Sequence, residues 1–233
     1  MAGFREGETF PYAEKCLRWF QKCGIIRPIM EHKTRHLTET QLANIRAAVE
    51  TILVNIGEDP KREGLLETPE RVARMADEIF EGIRFSNEEI AEKCGKTFPL
   101  PEGSISNNST VAVTNIEAFS YCEHHLALMY NMRVSVGYIP RDRIVGLSKI
   151  PRIVDLVTKR LQLQEKIGND IADILSKIVK TEDVIVVISA EHSCLTSRGI
   201  KKPGARTSTI TARGAFETQK EKRLEFLKTI ESN

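Results

Sequence analysis

The sequence predicts an α+β fold, in which a helical first half precedes an antiparallel sheet laid out in the order β-β-α-α-β-β. Three observations point to it. Helix-start signals recur at Thr38 and Thr68, each followed by apolar residues at three- and four-residue intervals. From Ser109 onward the apolar period drops to two, in "STVAVTNIEAF", "MRVSVGYIP", "DVIVVISAEH" and "RTSTITARGAF". Between the second and third of these segments lie two helical patterns, "PRIVDLVTKRL" and "QEKIGNDIADILSKIVK".

In chain order, residues 11–24 place Cys16, Trp19, Phe20 and Cys23 at helical intervals before Gly24, and residues 25–35 read as a linker. Residues 1–36 are therefore an N-terminal helix and linker, with the two cysteines in a core or docking face. A helical region, residues 37–108, follows. Thr38 and Gln41 make a capping box, and Leu42, Ile45, Val49, Ile52, Leu53 and Ile56 form one apolar stripe up to Gly57. The next helix has Thr68 as N-cap and Pro69 at its first position. Val72, Met75, Ile79 and Phe80 should face inward, with Gly82 as the stop and Arg71 and Arg74 along one side. Residues 109–233 carry the sheet and end in a polar-faced helix over 217–230.

Composition narrows the function. The chain has 233 residues, 41% of them hydrophobic and 28% charged, so it can bury a core without disulfide support. A net charge of +2 gives no global attraction to nucleic acid or an anionic membrane, so any anion site must be local. No apolar run is long enough to span a bilayer, and the opening "MAGFREGETF" lacks a secretory pattern. Five cysteines at irregular spacing suit a reducing compartment, hence a cytoplasmic location.

The chemistry concentrates in "YCEHHLAL". Cys122 and His125 have C-x-x-H spacing, which lets one loop present two metal ligands. Further along, "EHSC" supplies His192 and Cys194, two residues apart and so on one side of a strand. If the two clusters meet, the surplus histidines are available for proton transfer. Taken alone, either cluster also fits a buried cysteine beside a core-edge histidine. "GLSKIPRIV" puts Ser148, Lys149 and Arg152 at a helix entrance, where cations and N–H groups favour phosphate. "TSRGIKKPGAR" adds Arg198 near the second cluster. The lack of interleaved aromatics there argues for a small polyanion over single-stranded nucleic acid. Gln164 and Glu165 lie at the joint between the two helices, where a carboxylate can accept paired N–H bonds from a base edge or simply be solvated.

Through "GLLETPERVARM", "CEHH", "YIPRDRIVGLSKIPRIV", "RLQLQEK" and "HSCLTSRGIKK", residues 42–216 resemble the GTP cyclohydrolase I family. The resemblance implies the tunnelling fold for 109–233 and a ring-shaped homo-oligomer, commonly a decamer. It also implies zinc-dependent hydrolysis of GTP at C8 with release of formate and rearrangement to 7,8-dihydroneopterin triphosphate, the first step of pterin and folate synthesis. By motif match, Cys122, His125 and Cys194 are the zinc ligands, and His124 and His192 the proton-transfer histidines, with Ser148 relaying protons. Glu165 with Gln164 anchors the guanine, and Lys149, Arg152, Arg198, Arg71 and Arg74 contact ribose and triphosphate. The segment "LALMYNMRV" departs from the family pattern: it lacks glycine and proline and is one residue longer. Arg74 stands where a lysine is often found, which keeps the charge and changes its geometry. Other tunnelling-fold enzymes act on pterins or deazapurines, one through a nucleophilic cysteine. A thiolate committed to zinc favours the cyclohydrolase, and the retained His124, His192 and Glu165 argue against a purely structural zinc.

Overall fold

The computed structural model describes residues 36–100 and 109–232; the helix expected over 11–24 lies outside them. Two compact units divide between Arg74 and Met75, inside a helix. In the first, α1 (Glu39–Asn55) begins at the predicted capping box: Thr38 Oγ1 accepts from the Gln41 amide at 3.3 Å and Gln41 Oε1 accepts from the Thr38 amide at 2.9 Å. Among the described residues the predicted apolar stripe is uncovered, since no residue of α1 is buried and Ile52 and Ile56 are 59% and 69% exposed. A stripe of that width needs an apolar partner, and within its unit α1 is tied to α2 (Thr68–Ile79) by an ion pair, Arg46 to Glu70 at 2.6 Å.

Two details of α2 differ from expectation. Met75 is 44% exposed while Ala73 is fully buried, so the buried face is rotated toward the smaller residue. The helix ends at Ile79, and Gly82 sits in a following 3-10 turn, Glu81–Arg84. Close approach is what demands glycine there: a Cβ on Gly82 would lie 1.9 Å from the Leu156 carbonyl oxygen.

The second unit holds the sheet. After α3 (Asn87–Cys94), capped by Ser86 and Glu89, a small antiparallel pair joins β1 (Thr97–Pro99) to β4 (Arg143–Val145). The main sheet comprises β2 (Val111–Cys122), β3 (Ala127–Tyr138), β5 (Leu161–Gln162), β6 (Val184–His192) and β7 (Arg206–Ala212), in the order β5-β2-β3-β6-β7. Its four long strands are antiparallel, but β5 pairs parallel with β2, so the sheet is mixed where the sequence predicted a purely antiparallel one. The cause is that the chain leaves α4 (Lys149–Thr158) and runs two residues beside β2 before entering α5 (Gln164–Val179).

Alternation sorts the strand residues between two cores. Val134, Val136, Val186 and Ile188 pack with Ile153, Val157, Ile167, Ile171 and Ile174 of α4 and α5. Opposite them, Ile185 joins Phe216 and Phe226. The predicted terminal helix is two pieces, α7 (Ala215–Thr218) and α8 (Lys220–Glu231), and Phe226 of α8 lies directly over Gly137.

One arginine ties the helices around the sheet's end. Arg160 donates to the carbonyls of Gly82 and Phe85, to Asn87 Oδ1 and to Asp170 Oδ2, at 3.1, 2.8, 2.8 and 2.8 Å. Its own carbonyl accepts from Ser120 Oγ at 3.2 Å, two residues before Cys122.

Candidate metal centre and substrate site

The two cysteine–histidine clusters meet because of strand register. Cys122 ends β2 opposite Ala127, and a tight turn through Leu126 (φ 51°) leads into β3. Strand β3 then places Met129 opposite His192 at the end of β6. The ligand atoms of Cys122, His125 and Cys194 lie within 4.8 Å of one another. Cys194 is not on a strand as the two-residue spacing predicted; it sits in a helical turn, α6 (Ser193–Thr196). That turn is pinned to β3, where Ser193 Oγ donates to the Leu128 carbonyl at 2.6 Å and the Tyr130 and Thr196 hydroxyls are 3.1 Å apart.

Within 126–134, the segment read as departing from the family pattern, strand β3 carries a bulge inside the sheet. Leu128 and Met129 are in register with Tyr121 and Ser120, and a bulge follows at Tyr130 and Asn131, where Asn131 adopts φ 47°. Asn131 Nδ2 donates to Glu191 Oε1 at 2.9 Å, and Arg206 binds both Glu191 and the Asn131 carbonyl.

Electrostatics favour a cation among these groups. The Cys194 thiol is pushed above its ordinary range, first by burial and then by the charge and hydrogen bonding of Cys122. Two thiolates this close repel unless a positive ion lies between them. Two sulfurs and an imidazole suit a four-coordinate divalent ion with one position left for water or substrate. Arg198, a predicted anion contact, reaches this cluster: its Nη1 is 3.1 Å from His125 Nε2. His124 is exposed, its ring 6.3 Å from that of His125.

His192 is half-buried at the end of β6, and burial lowers its pKa against the opposing pull of the Glu165 carboxylate. Its Nε2 lies 2.8 Å from Gln164 Oε1, so Gln164 is engaged with His192 and not turned outward. Glu165, exposed in the first turn of α5, faces a cavity of about 390 Å³ together with Asn169, Thr209, Thr211 and Arg213. The sequence reading missed those neighbours. Their signal was the repeat of threonine at every second position in "RTSTITAR", which sets Thr207, Thr209 and Thr211 on one face of β7. Helix α5 approaches that face at Gly168, where a Cβ would lie 2.6 Å from Thr211 Oγ1. Gly168→Val is therefore expected to lift the first turns of α5 and to destabilise the fold by about 1–3 kcal/mol, read by urea denaturation.

Ser148 and Arg152 are exposed and Lys149 half-buried at the start of α4; Ser148 makes no capping bond with its side chain. Arg152 lines a smaller cavity with Lys93, Cys94 and Lys159. Arg71 and Arg74 belong to the first unit, where they pair with Glu67 and Glu70. Both arginines are mostly exposed, so these pairs are weak and yield readily to a stronger anion.

Sequence comparison accounts for this arrangement. Residues 45–231 match the family described as GTP cyclohydrolase I. A protein of Clostridium beijerinckii named GTP cyclohydrolase 1 is 56% identical over 175 residues, covering 75% of this chain and 89% of the relative. Its namesake in Ruminiclostridium cellulolyticum is 58% identical over 171 residues, 72% of this chain and 86% of the relative. That of Clostridium acetobutylicum is 54% identical over 173 residues, 74% and 89%. With most of both chains aligned at this identity, and with the metal-type cluster inside the matched span, the chain belongs to the GTP cyclohydrolase I family of hydrolases acting on GTP.

Proposed function

We propose that the chain is a zinc-dependent GTP cyclohydrolase I that hydrolyses GTP at C8, releases formate and forms 7,8-dihydroneopterin triphosphate for pterin and folate synthesis. The observation that carries this reading is the Cys122, His125 and Cys194 cluster beside His192. When bound by those three residues, zinc supplies an activated water at the open position. His124 gives a proton to N7 of the purine, which makes C8 electrophilic, and His192 serves the later proton transfers of ring opening and closure. Glu165 accepts two N–H bonds from the guanine edge, and a carboxylate there rejects an adenine, whose edge lacks that donor pair. Lys149, Arg152, Arg198, Arg71 and Arg74 hold the triphosphate, which does not react and serves to position the base. Ser148 relays protons during rearrangement of the ribose.

The same reading extends to assembly. The sheet is a tunnelling fold whose ends, β5 and β7, join those of neighbouring copies in a ring-shaped homo-oligomer, a decamer. Exposed Phe119, Leu126, Leu147 and Ile200 support this, because apolar side chains of that size favour cover. The free thiols of Cys94, Cys122 and Cys194 suit the reducing cytoplasm. No helix among the described residues is long and apolar enough to cross a membrane.

The test follows formate and the fluorescent oxidised pterin from GTP, with metal content determined on the same sample. Zinc-loaded protein is expected to turn over, and His192→Ala to lose about 10²–10⁴-fold in rate with its zinc retained. No formate from a zinc-loaded, assembled protein would discard the reading.

A further inference from the structure

Family resemblance places Gln164 against the substrate, but its side chain is 1% exposed and its polar atoms are committed elsewhere. The amide nitrogen donates to the carbonyls of Ile188 and Thr207 at 3.2 and 3.1 Å and to Thr209 Oγ1 at 3.2 Å. Backbone carbonyls only accept hydrogen bonds, so the amide can stand one way round: nitrogen toward β6 and β7, oxygen toward His192. Amide oxygen is likewise only an acceptor. At 2.8 Å from it, His192 Nε2 must carry the hydrogen, in both the neutral and the charged ring.

We infer that Gln164 is a positioning residue, which fixes the ring plane and tautomer of His192 so that Nδ1 is the nitrogen exchanging protons with substrate. Two strands hold the amide, the amide holds the ring, and the ring sits two residues before Cys194. A histidine free to rotate would present the wrong nitrogen for part of the time, and an outer hydrogen-bond partner removes that loss. Glu165, next in sequence and exposed, is left to read the base. The inference rests on the cyclohydrolase reading, in which His192 transfers protons.

Its test is a comparison of kcat, KM for GTP and the Kd of a GTP analogue blocked at C8, on zinc-loaded protein carrying Gln164→Leu. The expected result is a fall in kcat of roughly tenfold to a hundredfold, with KM and the analogue Kd within about twofold of the parent. The residual rate of His192→Ala should not fall further when Gln164→Leu is added, because the two residues act as one unit. A rise in KM and analogue Kd with kcat kept would show a substrate contact and overturn the inference; so would additive losses in the double variant, or unchanged kinetics. Should Gln164→Leu not assemble, Gln164→Asn keeps the amide but shortens its reach, and the same split is expected. Parent protein that releases no formate would sink the functional reading instead, before any variant is compared.

Discussion

Cys122→Ala is expected to lose bound metal and GTP turnover together while keeping its fold. Cys122 ends β2, buried, with its backbone in register with both Ala127 and Gln162, so the strand holds its position without the sulfur. What disappears is one of three donors. Outer-shell partners of a metal are worth ~10–100-fold in affinity or activity, and a direct ligand costs more than that. Cys94→Ala is the matched control. That thiol is also buried and lies outside the cluster, its pKa raised chiefly by burial, so it behaves as a small core residue. Metal analysis alongside the formate assay should show zinc and rate lost in the first variant and both kept in the second. Turnover at the parent rate by Cys122→Ala would remove the proposed centre from the chemistry.

The second large effect is on stability. Arg160→Met is expected to lower the unfolding free energy by about 3 kcal/mol or more, measured by urea denaturation at fixed protein and metal concentration. The guanidinium is 12% exposed and its partner Asp170 7%, so removing the cation leaves a buried carboxylate supported by Lys166 and the Asn87 amide. The carbonyls of Gly82 and Phe85 lose their donors in the same step. Adding Asp170→Asn to Arg160→Met should recover part of the loss, since a neutral amide is cheaper to bury than an unpaired charge. No recovery would mean that the carbonyl contacts, and not the ion pair, carry the energy.

The difference between what was and was not legible in the sequence lies in the range of the interactions. The capping box at Thr38 and the alternation of β2 and β6 are local, and they appear as predicted. Cys122 and His125 were readable because one turn presents both. That Cys194 leaves the strand for a helical turn was not, because the bonds that pin this turn to β3 come from Leu128 and Tyr130, far away in sequence. Strands β1, β4 and β5 are too short for any period to show, and each exists through its partner. The apolar stripe of α1 was read correctly as a pattern, but a pattern does not say what covers it. That two strands hold the Gln164 amide was not legible, because its three acceptors belong to strands that follow it in the chain.

Cys122 and Cys194 reach one another only after β3 has paired with both β2 and β6, and every residue between them belongs to the closed segment. An ion held by both is therefore a reversible cross-link over a long loop, and the unfolded chain has no comparable site to offer it. Folding itself largely closes that loop, so an ion bound there would draw the equilibrium toward the native state by mass action, and resistance to denaturation should rise with its free concentration. A cell short of that metal would then hold a less stable chain as well as an inactive one.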